Sequence, residues 1–445
     1  MCVKSPLCQD REKTLTAMVN RTIFIKKIKN KEPVMNATEL FPGIWHLGAN
    51  ISKDNLFEGM WPIPHGVSLN SYLVEGKDIA LIDLVRDWED APGEIEKQLG
   101  QLGVDIQRIR YLVLNHLEPD HTGWVPGFKQ RNPGVEIVTT KKGAELVDTF
   151  YHITDNVRVV KTGDSIDLGG GKVLRFYEIP NVHWPETMAT YEVSSKALFP
   201  CDAFGSFGKI GDRIFDDQLS EEEHAFYEFE SLRYYANIVA SFSPFVERAI
   251  KALEGLEISA ICPSHGIIWR RHPERIVERY ARYASYYKGP AEPEVTLIWG
   301  SMYDNTAAAT DAVREALLES GITFHEYRVP EQDFSHILAH AWKSQGLILG
   351  MPTYEYHMFP PMAHTIDILG RKHVRGRTVF WYGSFGWSGG AEREFNELAE
   401  RHKLGWEVVG KADFRGNPTA EDLSRLKREV AAFVEKVRER ARTSA

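Results

Sequence analysis

Apolar residues recur along this chain in two periods, and the points where one gives way to the other mark out its elements. Residues 68–74, where apolar and polar residues mix, and the mostly apolar 79–84 read as paired strands around Glu75-Gly-Lys-Asp78, a spacing that predicts a hairpin opening a β-sandwich. Similar runs at 111–114, 173–179, 197–199 and 258–262 predict strands, each followed closely by polar residues. Stretches at 221–241 and 244–253 predict helices that cover the sheet faces. Beyond Lys288-Gly-Pro-Ala-Glu-Pro-Glu294, a Pro- and Glu-rich break, strand and helix alternate. A strand from 295 leads to a helix at 307–319, strands follow at 346–349, 378–381 and 407–410, and a helix at 419–440 closes the chain. That helix begins with a Thr419-x-x-Asp422 capping box and carries Leu423, Leu426, Val430, Phe433, Val434 and Val437 at helical spacing, a stripe that predicts core packing.

Length and composition set outer limits on this picture. At 445 residues and 43% hydrophobic, the chain has room for two domains with full cores and little for a third. The formal net charge is -9, yet residues 1–35 hold 8 Lys/Arg against 3 Asp/Glu, so the body is acidic and nucleic-acid binding by it is not expected. The basic head, with Lys26, Lys27, Lys29 and Lys31, reads as a flexible extension, or as sequence before a start at Met35, ahead of any tether to RNA or membrane. No long apolar span occurs, and 22–28 is too short and too charged for a signal segment, so a cytoplasmic protein without membrane association is expected. The 4 cysteines, Cys2, Cys8, Cys201 and Cys262, include no Cys-x-x-Cys pair, which encodes neither a disulfide framework nor a rubredoxin module. Cys201 and Cys262 read as small buried fillers.

The densest chemistry lies in Asn115-His-Leu-Glu-Pro-Asp-His-Thr-Gly123, where His116, Glu118, Asp120 and His121 crowd together after a predicted strand. A lone His-x-Glu would be a solvated loop pair; four potential ligands within six residues point to a metal centre. His183, Asp202 and His265 each follow another apolar run. Taken singly they would be structural residues, but strands delivering their ends to one sheet edge could gather them all.

These residues resemble the metallo-β-lactamase fold, whose hydrolases carry His-x-His-x-Asp-His. Here Glu118 replaces the second histidine, which makes the first pocket harder and more anionic and better suited to iron or manganese than to zinc. The His-x-Glu-x-Asp-His form, with intervals of 67, 19 and 63 residues from His116 to His183, Asp202 and His265, resembles the flavodiiron proteins. The resemblance implies that His116, Glu118 and His183 hold one iron, that Asp120, His121 and His265 hold the other, and that Asp202 bridges them. In some relatives the histidine matching His121 stands off the metal.

Three loops at strand ends in the last third complete the likeness. The first contains Ser301, Met302, Tyr303, Asp304, Asn305 and Thr306, whose hydroxyls and backbone N–H groups at a helix start would hold a phosphate without a lysine. The second contains Pro352, Thr353, Tyr354, Glu355 and Tyr356, and the third Ser384, Phe385, Gly386, Trp387, Ser388 and Gly389. Together they resemble a flavodoxin, which implies FMN with its phosphate on the first loop and its ring between the others, stacked on Tyr354 and Trp387. Asp304 departs from the family pattern and should face solvent.

The implied architecture has two domains, an α+β αββα metallo-β-lactamase-like sandwich at 36–290 and a flavodoxin-like α/β doubly wound parallel sheet at 291–445, after the extension at 1–35. The implied activity is reduction of dioxygen to water or nitric oxide to nitrous oxide through FMN and two iron ions, with His65, Trp184 and Phe204 as candidate pocket lining. A separate donor such as rubredoxin or a reduced deazaflavin, and a head-to-tail homodimer or homotetramer, go with it. The alternative is a dinuclear zinc hydrolase of the same fold with an accessory flavodoxin domain.

Overall fold

The computed structural model describes residues 35–442; the basic head at 1–34 lies outside the described residues. Two sheets build the first half. The larger has seven strands in the spatial order Thr38–Phe41, Ile44–Ile51, Val67–Glu75, Ile79–Ile82, Ile109–Val113, Glu136–Thr139 and Val157–Val159. Pairing is antiparallel up to Ile79–Ile82 and parallel beyond it. The smaller has five, Ser165–Gly169, Lys172–Glu178, Met188–Glu192, Ala197–Phe199 and Ala260–Ile261.

The hairpin expected at 68–84 is present, but it does not open the sandwich. Ile44–Ile51 pairs along the full length of Val67–Glu75 and is itself preceded by Thr38–Phe41. Its apolar run is broken by His46, Gly48 and Asn50, and these find buried partners: His46 meets Asn70, and the Gly48 N–H reaches Gln98.

The helix expected at 221–241 is also modified. Glu221–Tyr234 starts at a Ser220/Glu223 capping box, then the chain passes through a π turn at Tyr235–Val239 and a 3-10 turn at Ala240–Phe242. Within the π turn, Asn237 Nδ2 donates to the carbonyls of Arg233 and Ser335.

The second half contains one five-stranded parallel sheet in the order Thr323–Arg328, Glu292–Trp299, Ser344–Gly350, Thr378–Phe385, Glu407–Arg415. Counted within that half the order is 2-1-3-4-5, the doubly wound arrangement of flavodoxins, with its switch point between the first and third strands. Ala420–Arg442 begins at the expected box, with Thr419 Oγ1 donating to Asp422 Oδ2 at 2.7 Å, and buries Leu426, Val430, Phe433, Val434 and Val437.

Met35 onward forms one compact unit. One tie between its halves is Arg233, a fully buried guanidinium that pairs with Glu230 and donates to Ser335 Oγ (2.5 Å) and the Pro62 carbonyl (2.8 Å). Another is Arg377, also fully buried, whose hydrogen bonds run to backbone carbonyls, including those of Tyr286 (3.1 Å) and Trp342 (2.6 Å). Burial without a carboxylate pulls Arg377 down to about 9. Among the described residues, no helix is long and apolar enough to cross a membrane.

Candidate metal centre

Loops from both sheets of the first half meet at one edge. The strand Ile109–Val113 runs through buried Leu114 and Asn115 into His116, and Asn115 is pinned to Asp83 by bonds of 2.8 and 3.0 Å. The one-turn helix Pro119–Thr122 then presents Asp120 and His121. Proline at its start supplies a helical φ, and Thr122 Oγ1 caps back onto the Glu118 carbonyl at 2.9 Å. From the smaller sheet, His183 lies in the connection after Lys172–Glu178, Asp202 follows Ala197–Phe199, and His265 follows Ala260–Ile261.

All seven residues singled out from the sequence converge, and they do so as two groups. His116, Glu118, His183 and Asp202 form one, and Asp120, His121 and His265 the other, with the donor atoms in each within 4.8 Å of one another. Asp202 faces both. Its Oδ2 lies 3.3 Å from His116 Nε2 and 3.1 Å from His183 Nε2, while its Oδ1 lies 2.9 Å from His121 Nε2 and 3.2 Å from His265 Nε2. Glu118 Oε2 completes the first pocket at 2.9 Å from His183, and Asp120 Oδ2 completes the second at 3.3 Å from His265. His121, for which the resemblance left two positions open, turns its Nε2 into the second pocket.

Both oxygens of Asp120, Asp202 Oδ2 and His265 Nε2 are buried without a hydrogen-bond partner among the described residues. Unsatisfied buried donors and acceptors of this kind are costly, and several aimed at one point fit a bound cation. The electrostatics agree. Burial opposes charge on each imidazole, but Asp202 and Glu118 outweigh it at His183, raised to about 9, and Asp120 and Asp202 do so at His265, raised to about 10. Glu118 and Asp202 are held far below the ordinary carboxylate range despite burial, by His116 and His183 at the first and chiefly by His121 at the second. The metal-free cluster thus gathers protons that a metal would displace.

The surroundings hold groups that the motif did not reveal. Glu186 Oε1 accepts from His116 Nδ1 at 2.8 Å and from the Leu117 N–H at 2.9 Å, and the Ser68 carbonyl accepts from His265 Nδ1 at 2.8 Å. The Tyr234 ring lies 5.6 Å from His265, and its hydroxyl is buried without a partner among the described residues; burial and nearby Asp202 raise it well above the usual phenol value. Glu186 follows His183 by three residues and could have been suspected on that ground, whereas Tyr234 lies in a helix without a motif. Of the expected lining residues, Trp184 packs edge-on against His116 at 5.1 Å, while Phe204 packs on Tyr280 and His65 on Phe226. Cys201 and Cys262 are free and buried, as expected of fillers, although the Cys201 thiol lies within ligand range of His121 and Asp202.

The three loops of the second half lie at the carboxyl ends of the first, third and fourth strands of its sheet in chain order. Ser301 Oγ and Thr306 Oγ1 are buried and have no hydrogen-bond partner among the described residues at the start of Asn305–Ser320, a helix whose first turn takes no side-chain cap from them. Such an end suits a phosphate. Asp304 is exposed, with φ 60°, on the solvent side that its charge requires. The second loop forms a small hairpin, Thr353–Tyr354 with His357–Met358, and Tyr356 meets Trp387 of the third loop at 6.4 Å. Tyr303 and Trp387 are 87% and 76% exposed, high for aromatic side chains that would otherwise seek burial. Ser384 Oγ instead bonds the Gly416 carbonyl at 2.8 Å.

The ODP family beta lactamase model matches residues 67–266, the span that holds every candidate metal ligand. The anaerobic nitric oxide reductase flavorubredoxin of Vibrio vulnificus is 33% identical over 360 residues, covering 78% of this chain and 71% of that relative. The flavorubredoxin of Aeromonas hydrophila is 35% identical over 332 residues, 73% of this chain and 65% of that relative, just under two thirds of its length. Among solved structures, rubredoxin oxygen:oxidoreductase from Desulfovibrio gigas superposes with a TM-score of 0.84 at 27% identity, covering 92% of this chain and 100% of that one. A flavoprotein from Thermotoga maritima gives 0.83 at 28% identity, with the same coverage. On the strength of this shared sequence and fold, the chain belongs to the flavodiiron proteins, a family of oxidoreductases.

Proposed function

We propose that the chain reduces dioxygen or nitric oxide, holding two irons in the pockets that share Asp202 and FMN on the loops at 301–306, 352–356 and 384–389. The observation that carries this reading is the division of Asp202, whose two oxygens face two separate imidazole and carboxylate sets. Bound iron would supply two adjacent one-electron couples, and bound FMN a carrier that accepts electrons from a donor and passes them on.

The side chains do the rest. Glu118 and Asp120 give each pocket a terminal carboxylate, and Asp202 fixes the pockets next to each other. Tyr234, kept protonated by burial, offers an O–H to whatever lies between them. Phe57, packed edge-on to His265 at 5.3 Å, and Trp184 on His116 exclude water from the two ligand sets. At the other site Ser301, Asn305 and Thr306 would bind the phosphate, and Tyr354 and Trp387 would stack on the flavin.

Both gases belong to the proposal because relatives named for each resemble this chain. The donor is a separate protein or cofactor, rubredoxin or a reduced deazaflavin. The division at 36–290 and 291–445 and a cytoplasmic location are part of the same reading. So is a head-to-tail homodimer or homotetramer, in which a partner would cover the exposed Tyr303, Tyr356 and Trp387.

The test is anaerobic reduction of the purified protein, with metal and flavin analysis, followed by turnover with each gas. Iron, FMN and sustained consumption of one gas are expected. Zinc without flavin, and no turnover with either gas, would replace the proposal with the hydrolase alternative.

A further inference from the structure

Both pockets use a histidine whose Nδ1 points away from the metal position, yet the partners of those nitrogens differ in charge. His265 Nδ1 donates to the Ser68 carbonyl, a neutral group. His116 Nδ1 donates to Glu186, a carboxylate 2% exposed. The same Glu186 oxygen takes the Leu117 N–H, and the Glu186 carbonyl accepts from Thr140 Oγ1 at 2.9 Å. Carboxylate, imidazole and the backbone carrying that imidazole are therefore fixed as one unit. Glu186 Oε2 has no hydrogen-bond partner among the described residues, so the donors that reach the carboxylate gather on Oε1 alone.

We propose that Glu186 is a positioning residue of the first pocket, holding the His116 proton on Nδ1 and making a metal bound there the harder of the two to reduce. The effect is electrostatic and, resting on the diiron reading given above, acts on the metal of the first pocket. A proton held on Nδ1 leaves the Nε2 lone pair directed at the site shared with Glu118 Oε2 (3.4 Å) and Asp202 Oδ2 (3.3 Å). A carboxylate on the far nitrogen draws that proton toward itself, enriches the ring in electron density and strengthens it as a donor. It also adds a buried negative charge near one metal position, where the low dielectric lets it act on the higher metal charge. The Ser68 carbonyl does this only weakly for the second pocket. The two halves of the centre are thus inequivalent, although each has one terminal carboxylate and shares Asp202.

The experiment uses iron- and FMN-loaded protein, wild type, E186Q and E192Q. Glu192 is an equally buried carboxylate, bonded to Ser194 and Ser195 away from the ligands, and controls for the loss of a buried charge as such. Iron retention against a chelator is measured, together with a potentiometric titration that follows the mixed-valent signal by electron paramagnetic resonance. In E186Q one iron should be held about 10- to 100-fold more weakly. The lower of the two iron potentials should rise while the upper stays, so the mixed-valent signal spans a narrower range and reaches a lower maximum. E192Q should match wild type in both. Unchanged retention and potentials in E186Q, or movement of the upper potential instead, would overturn the proposal.

Zinc-loaded wild-type protein supplies a readout that needs no variant and no iron. Its nitrogen-15 spectrum should show a slowly exchanging proton on His116 Nδ1; a proton absent from that nitrogen would also overturn the proposal. If the protein takes up no iron at all, the diiron reading fails, and this spectrum alone still decides whether Glu186 sets the imidazole form.

Discussion

Asp202 gives one oxygen to each pocket, so its loss should not resemble the loss of any other ligand. Asp202→Asn is expected to deplete metal from both positions and Glu118→Gln from the first alone, read as metal per chain after gel filtration. The protons gathered by the imidazoles yield a second expectation. A folded imidazole raised above its ordinary value of 6.5 stabilises the metal-free chain fully below that value. That contribution is lost as pH climbs through about 9 for His183 and about 10 for His265. The melting temperature of metal-free protein should therefore fall as pH rises from about 6.5 to about 10, while that of the metal-loaded protein, whose imidazoles carry no such proton, changes much less. Equal pH profiles would mean that the imidazoles do not hold these protons. The seven converging side chains were legible in the sequence because His116, Glu118, Asp120 and His121 lie within six residues and the others each follow an apolar run. Tyr234 was not, and Glu186 only by its place three residues after His183, since what matters at both is the direction of one side chain, which no spacing encodes.

At the scale of elements, loops carry the function and their geometry depends on a few close approaches. A Cβ at Gly390 would come within 1.9 Å of the Tyr356 carbonyl oxygen, so Gly390→Ala must separate the second and third loops of the flavodoxin-like half. Weaker FMN binding with unchanged metal content is expected, measured by flavin fluorescence on dilution. The terminal helix is a simpler case: Thr419→Ala removes the side chain that receives the Asp422 N–H and should cost about 1 kcal/mol in urea unfolding. That helix could be read in advance because its box and stripe are local signals. The strand Ile44–Ile51 could not, because its polar residues look exposed until Asn70 and Gln98 are placed beside them. The break after Tyr234 was hidden for a similar reason, as Asn237 finds an acceptor in Ser335 about a hundred residues further on.

For the whole molecule, the buried Arg233 and Glu230 pair ties the two halves through Ser335. Arg233→Met leaves Glu230 buried and unpaired, and a loss of about 3–5 kcal/mol is expected, with most of it regained in the double variant carrying Glu230→Gln. A double-mutant cycle by chemical denaturation measures this, and additive losses would show that the pair does not act as a unit. The order of the halves was legible from two motif sets, whereas their fusion into one compact unit was not, since the contacts that join them belong to neither motif. The spread of the ligands along the chain has a consequence in time. The first pocket lacks no donor once residue 202 has been synthesised, the second waits for His265, and the first of the loops proposed for flavin begins only at Ser301. Every donor of both pockets thus precedes in the chain the loops proposed for flavin, so a shortage of flavin should not by itself keep the full-length protein from taking up metal, nor a shortage of iron keep it from taking up flavin.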